Sequence, residues 1–315
     1  MNMKSTIGVL LMAYGSPDSL DELEPYLLDI RGGRPVSPAL LAEIKGRYAQ
    51  IGGRSPLLDL THAQADALQR ELNHRFVDED LKFRTYVGMR HWQPRIKEAV
   101  AKMDADGVEE LIAIVMAPHS STMSTGAYFN RLREAIDEIA PEMNVIKVES
   151  WYDHPGLITA LAEKVTPAMQ LFEPVMPYVI FTAHSLPVRI IEQGDAYDSQ
   201  LKQTARLLAV RLGLPGDQWE FCYQSAGQSP EPWLGPSIEQ RVVELIHSGH
   251  MNLLVVPVGF VCDHVEILYD IDIAARNLAQ ANGGRLERIE SLNASPTLIA
   301  TLADLVSTAI SAPEK

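Results

Sequence analysis

The run YVIFTAHSLP, residues 178 to 187, carries strand-forming residues into a histidine, and Pro187 bars the strand from continuing. An imidazole there is either a structural hydrogen-bonding group or a ligand and proton acceptor offered at a strand exit. Ser185, Pro187 and the turn at 194–197 make a loop-rich surface around His184, of the kind that carries function. A second set lies in PVGFVCDHVEILYDIDIA, residues 257 to 274. Read as one helix, it puts Asp263, Glu266 and Asp270 on a single face, with no lysine or arginine before Arg276. A divalent cation would relieve their repulsion, and carboxylate with imidazole suits iron, manganese or zinc. The plain alternative is a solvated helix face. A third set, RGGRPVSPALLAEIKGRYAQIGGRSP, sets Arg31, Arg34, Lys45, Arg47 and Arg54 against Glu43 alone, with Tyr48 beside Arg47. Arginine forks suit carboxylate or phosphate ligands, although a solvated loop has the same composition. His91, Trp92, His119 and Trp233 follow strand ends and would line a site for a flat apolar ligand.

These residues need a frame. Short apolar runs alternate with amphipathic helical stretches, as in parallel sheets covered on both faces. Eight strands are expected, at 7–13, 83–88, 111–117 and 145–149, then at 178–183, 220–224, 253–258 and 286–289. Four and four predict an α/β chain of two similar lobes, each a four-stranded parallel sheet flanked by helices. LMAYGSP in the first half echoes FTAHSLP in the second, which makes Tyr14 and His184 equivalent strand-end residues. Ligands of open parallel sheets bind outside the carboxyl ends of the strands, so both rings are expected to face an interlobe cleft. The lobes are expected at 1–150 and 151–294, with a helix near 295–312 packing back on the first.

A net charge of −14 over 315 residues argues against nucleic acid or anionic lipid as the main partner, so an anionic ligand must meet a local basic cluster. Two cysteines are too few for a disulfide framework, a zinc ribbon or a four-thiolate cluster, and a reducing cytoplasm is expected. The apolar run at 7–13 meets Tyr14-Gly15-Ser16-Pro17 without a cleavage site, and the later run at 253–261 is too short for a bilayer; no transmembrane segment is expected. Phosphate-loop, H-E-x-x-H, G-x-S-x-G and strand-linked G-x-G-x-x-G motifs are missing, which speaks against nucleotide and serine-hydrolase chemistry.

The segments LLMAYGSP, YAQIGGRSPL, VESWYDHP, TAHSLP, YQSAGQSPEPWLGPS and VPVGFVCDHVEILYDID, in this order and spacing, resemble the ferrochelatases over nearly the whole chain. The chain looks most like the short coproporphyrin III type: no apolar insertion lies between Ile30 and Tyr48, and no cysteine-rich extension follows. The resemblance implies two Rossmann-like, chelatase-like lobes and a porphyrin cleft. It implies His184 and Glu266 as the catalytic pair and Fe2+ ligands, facing each other across the macrocycle. Tyr14 would ligate product iron from the other side, and Arg31, Arg47, Tyr48 and Ser55 would hold propionates. His91, Trp233, Asp263 and Asp270 would line the cleft or form an outer metal relay. Related sequences often carry an acid where this chain has Ala274, which weakens that relay unless Asp272 substitutes.

Metal insertion removes two pyrrole protons, and Glu266 is the expected base, its proton affinity raised by Asp263 and Asp270. Fe2+ is then a substrate, with no tightly bound cofactor expected beyond a divalent cation at the peripheral acids. The expected partners are porphyrin, ferrous iron and a downstream haem-pathway enzyme, for a monomeric cytoplasmic protein. Alternatives are a protoporphyrin IX ferrochelatase, a chelatase for another metal, or a haem or metal carrier that binds without turnover.

Overall fold

In a computed structural model, residues 5–227 and 229–311 are described. The chain divides into two units: residues up to Ala117, Thr122–Trp151 and those from Asn293 onward, and then Pro118–Ser121 with Tyr152–Leu292.

The first unit runs β1 (Ser5–Ala13), α1 (Leu23–Ile30), α2 (Pro38–Gln50), α3 (Leu57–Arg75), β2 (Leu81–Met89), α4 (Ile96–Ala105), β3 (Glu110–Val115), α5 (Thr125–Ile139) and β4 (Asn144–Val148). The second holds α6 (Pro155–Gln170), β5 (Tyr178–His184), α7 (Arg189–Glu192), α8 (Tyr197–Leu212), β6 (Trp219–Gln224), α9 (Ile238–His247), β7 (Asn252–Val256), α10 (Val265–Leu268), a π-helical turn (Asp270–Ala275), α11 (Arg276–Ala281) and β8 (Arg285–Arg288). The chain then returns to the first unit as α12 (Pro296–Ser311), whose Asp304 pairs with Arg75 of α3 at 2.5 Å.

Each unit contains a four-stranded parallel sheet, ordered β2-β1-β3-β4 and β6-β5-β7-β8. The expected strands fall on the observed ones to within two residues at each end. The reason is physical: central strands covered on both faces must be apolar throughout, and Leu111 to Val115 of β3 and Leu253 to Val256 of β7 are all buried. The edge strands β4 and β8 carry Lys147, Arg285 and Arg288, charges that discourage further pairing.

The two sheets share one topology. In each, the chain passes from its first strand to one side and then crosses to the other, so the order reverses between β1 and β3 and between β5 and β7. Such a switch point leaves a crevice at the carboxyl ends of the strands. An uninterrupted first lobe over 1–150 is not what the chain forms, because Pro118–Ser121 belong to the second unit. There His119 Nε2 lies 2.9 Å from Thr204 Oγ1, and the Ser120 amide donates to Gln200 Oε1 at 2.6 Å. Full burial drives the His119 imidazole down to about 3, so it is neutral and structural.

Candidate active site

His184 is the last residue of β5 and sits at the switch point of the second unit. Its strand register pairs it with Gln224, the last residue of β6. Its Nδ1 hydrogen-bonds the Ser185 carbonyl, which fixes the proton on that nitrogen and leaves the Nε2 lone pair available in the neutral ring. The His184 carbonyl accepts from the buried Tyr197 hydroxyl at 3.0 Å.

Glu266 reaches the same place from β7. After Val256 the chain must turn past β5, and Gly259 makes this possible: a Cβ there would lie 2.5 Å from Ala183 Cβ. The Gly259 amide donates to the Thr182 carbonyl at 3.2 Å. His264 then caps α10, its Nδ1 accepting from the Glu266 amide at 3.3 Å. Burial pushes the His264 imidazole below its usual value, as an acceptor nitrogen requires. Gln224, 1 % exposed, accepts from Thr182 Oγ1 at 2.8 Å and donates to the Glu266 carbonyl at 3.0 Å.

The outcome is His184 Nε2 at 3.5 Å from Glu266 Oε1, with the side chains 30 % and 35 % exposed. Both therefore stand on one side of any ligand they share, and the expectation that they face each other across a macrocycle is corrected. A gap of 3.5 Å admits a proton or a metal ion but no porphyrin plane. Burial alone would lower the His184 imidazolium, yet the Glu266 carboxylate, the Ser185 carbonyl and Asp270 outweigh it and hold the ring above its ordinary value.

The acids around Glu266 are arranged differently from the expected single helical face. Asp263 precedes α10, accepts from Ser291 Oγ at 2.6 Å and lies 3.2 Å from the Arg288 guanidinium. Asp272 takes Arg288 Nε and Nη2 at 2.8 Å each, so it does not substitute for a metal-binding acid at 274. The expected clustering of unrelieved negative charge is thus overturned by a cation from β8, an element remote in sequence. Asp270 accepts from Ser225 Oγ. Among the described residues, no group of three or more His, Cys, Asp or Glu side chains is arranged to hold a metal ion. Trp233 stands outside the pair, its Nε1 donating to Ser229 Oγ at 3.0 Å.

In the first unit, Tyr14 follows β1 and is 42 % exposed. The His91 ring lies 4.7 Å from it, and the Arg90 guanidinium carbon 6.0 Å from its centroid. Gly15, at φ +93°, lets the chain leave β1 against the Trp92 amide, which a Cβ would approach to 2.8 Å. His91 Nδ1 lies 2.8 Å from Asp29 Oδ2, and Arg95 holds Oδ1 of the same carboxylate at 3.0 Å. Burial keeps the His91 imidazole below its usual value against the pull of Asp29, so the neutral ring donates. Sequence reading found His91 but missed Asp29 and Arg95, for nothing local connects them.

The basic stretch divides. Arg47 pairs with Glu43 at 2.7 Å on the α2 surface, and Arg54 with Asp59 at 2.6 Å. Among the described residues, Arg31, Arg34 and Lys45 have no carboxylate within ion-pair distance, and the buried Arg31 Nε has no hydrogen-bond acceptor. Tyr48 and Ser55, expected beside them as ligand-holding groups, are each 3 % exposed, and Ser55 Oγ accepts from the Leu57 amide at 3.3 Å.

The ferrochelatase family model matches residues 6–310. A ferrochelatase of Deinococcus radiodurans is 45 % identical over 303 residues, covering 95 % of each chain. A coproporphyrin III ferrochelatase of Halalkalibacterium halodurans is 41 % identical, covering 96 % of this chain and 97 % of that one. Among solved structures, SirB from Bacillus subtilis with Fe3+ superposes with a TM-score of 0.60 at 8 % identity, over 98 % of this chain and 96 % of that one, a likeness of fold. With a family match across nearly every residue and the fold of a chelatase around it, this chain belongs to the ferrochelatase family.

Proposed function

We propose that this ferrochelatase acts on coproporphyrin III, with His184 and Glu266 receiving Fe2+ and the two pyrrole protons. The observation that carries the substrate choice is the group Arg31, Arg34 and Lys45, cations without carboxylate partners among the described residues in a chain of net charge −14. A porphyrin with four carboxylates uses such a group better than one with two. A planar guanidinium fork is suited to a carboxylate. Arg47, on the same helix as Lys45 and paired with Glu43 at 2.7 Å, is proposed to join them. The name borne by the Halalkalibacterium relative supports the same choice.

The insertion replaces two N–H bonds by four nitrogen–iron bonds and releases two protons. Neutral His184 offers Nε2 to the metal, and Glu266 offers an anionic oxygen beside it. Two protein ligands hold a divalent ion loosely enough to surrender it, which suits a substrate metal. As iron passes from the pair to the porphyrin nitrogens, Nε2 and the Glu266 carboxylate are freed, and each takes one of the two pyrrole protons. Tyr14, exposed beside Arg90, would supply a phenolic oxygen to product iron. The product would pass to a downstream enzyme of haem biosynthesis, with the protein acting as a cytoplasmic monomer.

The test is anaerobic incubation with ferrous iron, following loss of free-porphyrin fluorescence with coproporphyrin III and protoporphyrin IX in parallel. Faster turnover of coproporphyrin is expected, and Arg31→Ala should raise its KM more than it lowers kcat. Turnover of protoporphyrin alone would overturn the substrate assignment, and binding of either without turnover would mark a carrier.

A further inference from the structure

Asp263 stands three residues before Glu266 and Asp272 six after it, and one guanidinium grips both. Arg288 is the last residue of β8, and only 10 % of its side chain is exposed. Its Nε and Nη2 meet the two Asp272 oxygens at 2.8 Å each. Its Nη1 lies 3.2 Å from Asp263 Oδ1 and donates to the Ile289 carbonyl at 2.8 Å and to Ser291 Oγ at 3.2 Å. Ser291 in turn donates to Asp263, closing the network.

Between these anchors lie the four residues of α10, a turn at Tyr269 and the start of the π-helical turn. A helix this short does not hold itself, because its nucleation cost is not repaid within one turn. The position of Glu266 must therefore be imposed from outside. Gln224 fixes its carbonyl, and Gly259 fixes the approach; the Arg288 fork fixes both flanks. A buried ion network contributes little net stability against an apolar replacement, but it can select one arrangement of the chain.

We infer that Arg288 is a positioning residue for metal insertion, which holds the 263–272 segment so that Glu266 stands within ion-pair reach of His184. The inference rests on the roles given above to His184 and Glu266. A planar fork is needed: lysine would keep the charge but supply a point donor that cannot span two carboxylates.

The experiment compares wild type, Arg288→Lys, Asp272→Asn and Glu266→Gln for ferrous insertion, measuring kcat and porphyrin KM separately, with thermal melting and circular dichroism on each protein. Arg288→Lys and Asp272→Asn should lose about tenfold or more in kcat, as expected for a reacting group displaced by a fraction of an ångström, while porphyrin KM changes less than about twofold. A kcat within about twofold of wild type in Asp272→Asn overturns the inference, whether or not its melting temperature falls. Should Arg288→Lys fail to fold, Asp272→Asn decides alone. Full activity in Glu266→Gln would instead sink the roles assigned to the pair.

Discussion

At the scale of single residues, the insertion chemistry proposed above turns on the proton that His184 and Glu266 share. Burial disfavours imidazolium, but the adjacent carboxylate more than compensates, so the ring titrates above its ordinary 6.5. The metal needs the neutral ring. Lowering pH through that raised value fills Nε2 with a proton, and kcat/KM for Fe2+ should fall on the acid side with an inflection above 6.5. Removing the carboxylate leaves burial dominant, so in Glu266→Gln the His184 titration, followed by 15N-histidine NMR on the free protein, should move to lower pH. An unmoved titration would mean that Glu266 does not charge the ring. His184→Ala and Glu266→Gln should each cost about 10²-fold or more in kcat with porphyrin binding retained, the usual range for a lost proton acceptor. Equilibrium fluorescence titration separates the two quantities, and retained turnover in both variants would exclude the pair as the insertion site.

At the scale of elements, the strands were legible and the segment after β7 was not. Central parallel strands must be apolar along their whole length, so β1, β3, β5 and β7 announce themselves in sequence, and a histidine ending such a run is conspicuous. By contrast, local periodicity puts Asp263 and Asp270 on one helical face because it knows nothing of Arg288, which arrives from β8 and holds Asp263 from the other side. The Asp29 bridge between His91 and Arg95 was hidden for the same reason, its partners lying on α1 and on the loop after β2. The resemblance pairs His184 with Glu266, and the two side chains do meet, but 3.5 Å apart and not across a macrocycle, since a motif carries identity and not geometry. Gly259 states the local rule most sharply. Its missing Cβ lets the β7 exit lie against Ala183, so Gly259→Ala should push the 263–272 segment away from β5. Overpacking of this kind costs about 1–3 kcal/mol, and kcat should fall further than the loss of stability explains. Urea denaturation beside steady-state kinetics measures both; a variant destabilised but fully active would show that the close approach serves packing alone.

At the scale of the whole molecule, one charge distribution must serve two substrates of opposite sign. No described helix is long and apolar enough to cross a membrane. Under the proposed substrate assignment, a net charge of −14 would draw in Fe2+ and repel a tetra-anionic porphyrin until it met the local cations at Arg31, Arg34 and Lys45. Long-range attraction and repulsion are both screened as the Debye length shrinks from about 30 Å at 0.01 M salt to about 8 Å at 0.15 M. Raising ionic strength over that range should therefore lower kcat/KM for iron. For porphyrin the effect is opposed: screening relieves the global repulsion while weakening the contact with the basic group, so kcat/KM should change less, and in the Arg31→Ala variant it should rise. Stopped-flow fluorescence at fixed pH, varying one substrate at a time, measures each slope. Equal slopes for the two substrates would mean that the net field steers neither, and a falling porphyrin slope in Arg31→Ala would place the anion-binding group elsewhere on the chain.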